Sequence, residues 1–233
     1  TGTADSVTIG LNDETTGANK TEATLKVAAA VETTTLTVPK FRTDGTTANT
    51  GDTDANIAGV ASASIVVTGG NSGTDLDLLQ AGTMSATTTS LDSTAFIGTL
   101  TATASANVAT TFKVDGAQIQ TLIGSSKADT VTVDSTAATH VIDGGAGADT
   151  LNMTASGTIS VATVNNFETI NFTVAPSATA VTTAAAANFW NDSDLTTLNI
   201  LGGNSLSAIS LIADGVDSTS GMTVLNAGAF EGT

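Results

Sequence analysis

A chain of 233 residues with 22 acidic and 6 basic side chains carries a net charge of −16. That balance excludes nucleic acid as a partner, because phosphate binding needs Lys and Arg, and it repels anionic membrane surfaces. Cys is absent and aromatics reach only 3%, so there is no disulfide framework, and the core is expected to be thin, filled by Val, Ile, Leu, Ala and Thr methyls.

The chain opens on Thr1-Gly2-Thr3 with neither a Met nor a signal-like region, which reads as a segment of a longer protein. Its first predicted strand lies in Ala4–Ile9 (ADSVTI), where Val7 and Ile9 alternate with polar residues at the period of a half-buried strand. Val31–Leu36 (VETTTL) continues the theme with Leu36 and Val38, and Pro39 can stop that strand. An acidic loop follows at Asp44–Asn56. Its Asp52-x-Asp54-x-Asn56 resembles the start of an EF-hand, but Ile57 replaces the required Gly and Ala63 the required Glu, so it reads as a solvated insertion. Gly69–Asp77 (GGNSGTDLD) offers Asn71, Asp75 and Asp77 as oxygen donors. Ala128–Val133 (ADTVTV), Ala148–Met153 (ADTLNM), Phe167–Phe172 (FETINF) and Leu198/Ile200 are further predicted strands. Pro176 can stop the strand before it, and Ala184–Trp190 (AAAANFW) is the one predicted helical turn. No run of about 18 apolar residues exists to span a bilayer, so no membrane insertion is expected.

Four short signatures recur in the same order. They are the A-D-[ST] strands, the E-T strands, GGNS at Gly69–Ser72 and Gly202–Ser205, and Leu91–Thr99 (LDSTAFIGT) against Leu225–Thr233 (LNAGAFEGT). An ordered series of repeats reads as a duplication: module one at 1–99, a bridging segment at 100–147 and module two at 148–233. Short repeated strands with Gly/Asp corners predict an all-β fold, a β-solenoid or β-roll of stacked strands.

Catalysis is not expected. His140 is the only His and Cys is absent, so there is neither a zinc cluster of the usual kind nor a Cys–His dyad, and the corner position of His140 reads as a solvated loop residue rather than the base of a Ser–His–Asp triad. One Trp, Trp190, and no Tyr leave little to stack a sugar against, and Trp190 reads as a packing residue.

The nonapeptide Gly144–Asn152 (GGAGADTLN) meets every defined position of G-G-x-G-x-D-x-U-x, the calcium-binding β-roll repeat. Glycines permit a tight turn that aims carbonyls inward, and Asp149 supplies a hard anionic oxygen for calcium. Asp143, Gly145 and Gly147 complete this corner. Asp129 sits in a degenerate earlier copy (GSSKADTV) and Asp5 in another, while His140 occupies the preceding Asp slot. The predicted calcium ligands are therefore Asp149, Asp143, Gly145, Gly147, Asp129, Asp75, Asp77, Asn71 and Asp5.

The nonapeptide, together with FETINFTV, SDLTTLNI, SIVVTGGNSGTDLDL and LDSTAFIGT in a Thr/Ala-rich, Lys-poor, Cys-free background, resembles the RTX-type surface-layer (S-layer) proteins of Gram-negative bacteria. The resemblance implies a non-catalytic, calcium-dependent protein, exported by a type I system and self-associating into a lattice on the outer cell surface. It also implies a lipopolysaccharide anchor, in a region outside this segment. Two alternatives share the nonapeptide: a segment of a giant RTX adhesin, and the calcium-binding accessory domain of a secreted exoenzyme.

Overall fold

The computed structural model describes residues 4–11, 23–38, 55–69, 78–114, 120–133, 141–154, 163–173, 196–200 and 223–226. Within them the chain is all β, with seventeen short strands. Asn71, Asp75, Asp77, His140, Pro176, Ala184–Trp190 and all but the last two residues of the Asp44–Asn56 loop lie outside the described residues.

The strands form two parallel sheets. One is ten-stranded: β1 (Ser6–Gly10), β3 (Thr33–Val38), β5 (Ser64–Gly69), β7 (Ser90–Phe96), β9 (Thr111–Val114), β11 (Thr130–Val133), β13 (Thr150–Met153), β15 (Thr169–Phe172), β16 (Thr197–Ile200) and β17 (Thr223–Asn226), paired in that order. The other is seven-stranded: β2 (Ala23–Val27), β4 (Ala55–Val60), β6 (Leu78–Thr83), β8 (Thr99–Thr103), β10 (Gln120–Ile123), β12 (Val141–Asp143) and β14 (Thr163–Asn165). From β1 to β15 the chain passes from one sheet to the other at every step, so each coil adds one strand to each sheet. That is a β-solenoid, as the repeated strand pattern predicts.

The period-2 pattern explains the layering. In β11, β13 and β15 the second and fourth residues are buried and the first and third half-buried. The register stacks like on like: Ile65, Leu91, Phe112, Val131, Leu151 and Ile170 form one interior column. Ile57, Leu100, Leu122 and Ile142 are buried in the seven-stranded sheet, in the same core cluster. The outward residue before that interior column is Ser or Thr in every strand from Ser6 of β1 to Thr197 of β16, and Thr223 of β17 holds the same register position. Branched Thr is at home there because its stiff Cβ packs well on a pleated surface.

The core is less uniformly small than composition suggests. Phe96, Phe112, Phe167 and Phe172 are fully buried, so the aromatics among the described residues are spent inside. β3 ends at Val38, directly before Pro39. The ladder of the larger sheet is continuous from β1 to β17, so the residues read as two modules and a bridge share one set of sheets.

The interior also holds polar pairs. Thr34 and Ser62 are fully buried and their hydroxyls meet at 2.6 Å, while the Thr88 hydroxyl donates to the Ser62 carbonyl at 2.8 Å. Removing one hydroxyl orphans the other, at a cost of about 1–3 kcal/mol. Ser62→Ala is therefore expected to destabilise more than the double change Thr34→Val/Ser62→Ala, as read from denaturant midpoints. A larger loss in the double variant would contradict the pairing.

Candidate functional site: a carboxylate column along one corner

Each tight corner delivers the chain into a strand of the larger sheet, and the residue just before that strand stacks on its counterpart in the next coil. The column runs Asp5, Glu32, Ala63, Thr89, Thr110, Asp129, Asp149, Glu168. Its backbone is tied coil to coil, with Thr33 N–H donating to Asp5 O, Ser64 to Glu32, Thr130 to Thr110, Thr150 to Asp129 and Thr169 to Asp149, at 2.9–3.2 Å. The A-D-[ST] and E-T signatures are thus one structural position, and they place acids at five of these levels.

The side chains follow a rule of their own. Each of the other acids accepts from the backbone N–H of the column residue one coil earlier: Glu32 from Asp5 at 2.5 Å, Asp129 from Thr110 at 2.5 Å, Asp149 from Asp129 at 2.7 Å and Glu168 from Asp149 at 2.5 Å. These are charge-assisted bonds, stronger than neutral ones. Glu32 and Glu168 were missing from the predicted ligands. The signal for them was present in the sequence, since E-T and A-D-T both introduce a strand of alternating residues.

Asp129 and Asp149 occupy equivalent corners, 124–129 and 144–149, yet differ in one respect. Both are buried, at 1% and 0% exposure. Asp129 uses both oxygens: Oδ1 takes the Thr110 N–H, and Oδ2 takes the Ser125 N–H at 2.5 Å. Asp149 uses only Oδ1, and its Oδ2 is buried without a hydrogen-bond partner.

The reason lies in the stretch Asp143-Gly144-Gly145. The donor equivalent to Ser125 N–H is Gly145 N–H, but it is taken by Asp143 Oδ1 at 2.9 Å. Asn166, held at φ 59°, adds its Nδ2 to that same oxygen at 2.7 Å. One coil earlier the residue matching Asp143 is Ile123, which cannot compete. Asp143 therefore diverts the donor that would have satisfied Asp149.

Electrostatics follow from this geometry. Burial pushes the Asp149 carboxyl up to about 6; the Asp129 N–H pulls it down, and the carboxylates of Glu168, Asp129 and Asp143 raise it further. An ionised Asp149 is a buried anion with one bare oxygen, next to three like charges. A cation would relieve both burdens.

The loop around it is closely built. A Cβ on Gly144 would stand 2.0 Å from Asn166 O and 3.0 Å from Asp149 Oδ2, and one on Gly147 would stand 2.5 Å from Lys127 O and 3.1 Å from Asp149 Oδ1. Both glycines thus keep carbonyls and the Asp149 carboxylate close together without side chains intervening. The residues fit calcium in part. Calcium takes about six to eight oxygens, and Asp149 Oδ2 with the surrounding backbone carbonyls supplies oxygens of the right kind. Among the described residues, however, no three acidic or His side chains gather as a ready-made cage.

Of the predicted ligands, Asp5, Asp129 and Asp149 are brought into one column, and Asp143, Gly145 and Gly147 into its best-formed corner. Asp5 stands exposed on the first described coil, and Asp129 is saturated by backbone donors. Among the described residues no helix is long and apolar enough to cross a membrane. No protein-family model, curated protein or solved structure matches the chain.

Proposed function

We propose that the chain is a non-catalytic structural segment of a secreted, calcium-dependent bacterial surface layer, which self-associates outside the cell. The observation that carries the calcium part is the bare, buried Asp149 Oδ2. A buried anionic oxygen with no donor is costly by itself, and it becomes favourable once a hard cation sits against it. Asp149 would hold the ion with backbone carbonyls of the 124–129 and 144–149 loops, and Asp143 would keep the Gly145 donor away. The ion supplies charge neutralisation and joins neighbouring coils. The structural part is supported by the architecture: a one-dimensional stack whose polar chemistry is spent on holding coils together, in a chain with a single His and no Cys.

The test is circular dichroism and light scattering on the 233-residue chain, with calcium and with excess chelator. Calcium is expected to raise the melting temperature and produce large assemblies, and chelator to reverse both. A chain that melts and scatters identically in chelator would overturn the reading.

A further inference from the structure

Two equivalent corners tie neighbouring coils in different ways. At 124–129 the chain closes the carboxylate of Asp129 by itself. Oδ1 takes the Thr110 N–H and Oδ2 the Ser125 N–H, each at 2.5 Å. At 144–149 the matching N–H, that of Gly145, goes instead to Asp143 Oδ1 at 2.9 Å. Asp149 Oδ2 is left buried and bare.

The backbone shows the same divergence. Gly145 stands at φ 91°, in the left-handed region, while Ser125 keeps a negative φ. A Cβ on Gly145 would meet Ser125 O at 2.2 Å, so this turned conformation needs glycine. The residue that precedes each loop differs as well. Asp143 lies in register with Ile123. Asp143 offers an oxygen to an N–H two residues ahead, as Asp commonly does in a turn, and Ile123 offers none. Asn166 Nδ2 donates to the same Asp143 oxygen at 2.7 Å, which fixes that oxygen from the next coil.

We propose that these corners are two forms of one coil joint, an ion-taking form at 144–149 and an ion-free form at 124–129, and that Asp143 is the positioning residue that keeps its joint in the first form. The proposal rests on the calcium part of the surface-layer reading. It gives the imperfect loop GSSKADTV a role of its own. Where the ion would sit against Asp149 Oδ2, the Ser125 N–H sits against Asp129 Oδ2. Of these two joints only 144–149 then depends on calcium.

Opposite signs follow for the two states of the protein. Without the Asp143 oxygen, Gly145 is free to take the backbone of Ser125 and to donate to Asp149 Oδ2. That bond is charge-assisted, so the ion-free chain gains stability. The same bond occupies the oxygen that calcium needs, so affinity falls. A residue with a merely structural role would cost stability in both states.

The experiment combines calorimetric titration with calcium and thermal melts in chelator at neutral pH, on the 233-residue chain. Asp143→Ile copies the ion-free joint, and Asp143→Ala does so without a new apolar contact beside Ile123. Asp143→Asn removes the charge but keeps an Oδ1 that accepts from Gly145 and Asn166. Asp143→Ile and Asp143→Ala are expected to melt above the wild type in chelator and to bind calcium about 10–100-fold more weakly. Asp143→Asn is expected to keep its calcium affinity within about ten-fold of the wild type. Where the Ile and Ala variants differ, Asp143→Ala decides. An Asp143→Ala chain that melts at or below the wild type in chelator overturns the proposal and leaves the calcium reading intact. So does a calcium loss in Asp143→Asn equal to that in Asp143→Ala, which would make Asp143 a ligand or a plain charge. A wild type that binds no calcium overturns both.

Discussion

Acidifying the calcium-free chain from about pH 7 to about pH 5 is expected to stabilise it, and Asp149→Asn is expected to abolish most of that gain. The Asp149 carboxyl is raised from 3.8 to about 6. A carboxyl raised in the folded state binds its proton more tightly folded than unfolded. Its contribution to stability is fully present below the unfolded value and is lost as pH rises through about 6. A shift of about two units corresponds to about 3 kcal/mol once pH lies below the unfolded value, of which about 1.4 kcal/mol is gained between about pH 7 and about pH 5, or roughly 3–6 °C in melting temperature for a chain of this size. The remaining acids relieve self-repulsion on protonation in both proteins, so the difference between wild type and Asp149→Asn isolates the single group. At neutral pH without calcium the Asn variant is expected to be the more stable. Calcium at about one hundred times its dissociation constant reverses the order, adding about 2.7 kcal/mol to the wild type and little to the variant. Thermal melts of both proteins at the two pH values, with and without calcium, read all of this. Parallel pH slopes for the two proteins would remove Asp149 from the account.

Gly144→Ala is expected to be strongly damaging through its clash with the next coil alone, since its backbone is not in the positive-φ region. The added Cβ would lie 2.0 Å from Asn166 O and 2.9 Å from Asp149 Cβ. The first of these is backbone in the next coil, so no rotamer can move it aside. The coils would have to part, straining the bond from Gly144 N–H to Asn165 O at 3.0 Å. A loss above about 3 kcal/mol is expected. Gly10→Ala is the comparison, because nothing lies within 4 Å of a Cβ there and its effect should stay within about 0.5 kcal/mol. Denaturant unfolding of both variants separates the two cases, and equal losses would contradict the tight stacking of the corner.

Much of the fold could be read from alternation alone. Val7/Ile9, Leu36/Val38, Val131/Val133, Leu151/Met153, Ile170/Phe172 and Leu198/Ile200 all fall in strands of one sheet, because a strand with one buried face must alternate. The coil period was harder to see. Successive column acids are 19 or 20 residues apart around Asp129, Asp149 and Glu168, but 27 apart at Asp5 and Glu32. A fixed-period search therefore fails where the connections lengthen. Glu at a level where other coils have Asp hid the column further, although one added methylene still reaches the same N–H. The bare oxygen of Asp149 was beyond pattern reading. It arises from competition between Asp143 and Asp149 for one N–H, and such a contest is decided in three dimensions.

The tight corners and the opposite connections of the solenoid differ in one more way. From β2 to β15 the corners leading into the larger sheet stay short, whereas the links leaving it range from the two residues between Phe96 and Thr99 to the long stretch between Val38 and Ala55. One side of the stack thus keeps time and the other carries the variation. A gene encoding such a chain can gain or lose a whole coil, or acquire a long insert on the permissive side, while every remaining rung keeps its neighbour. Length and surface decoration can then drift independently of the corner that holds the coils together.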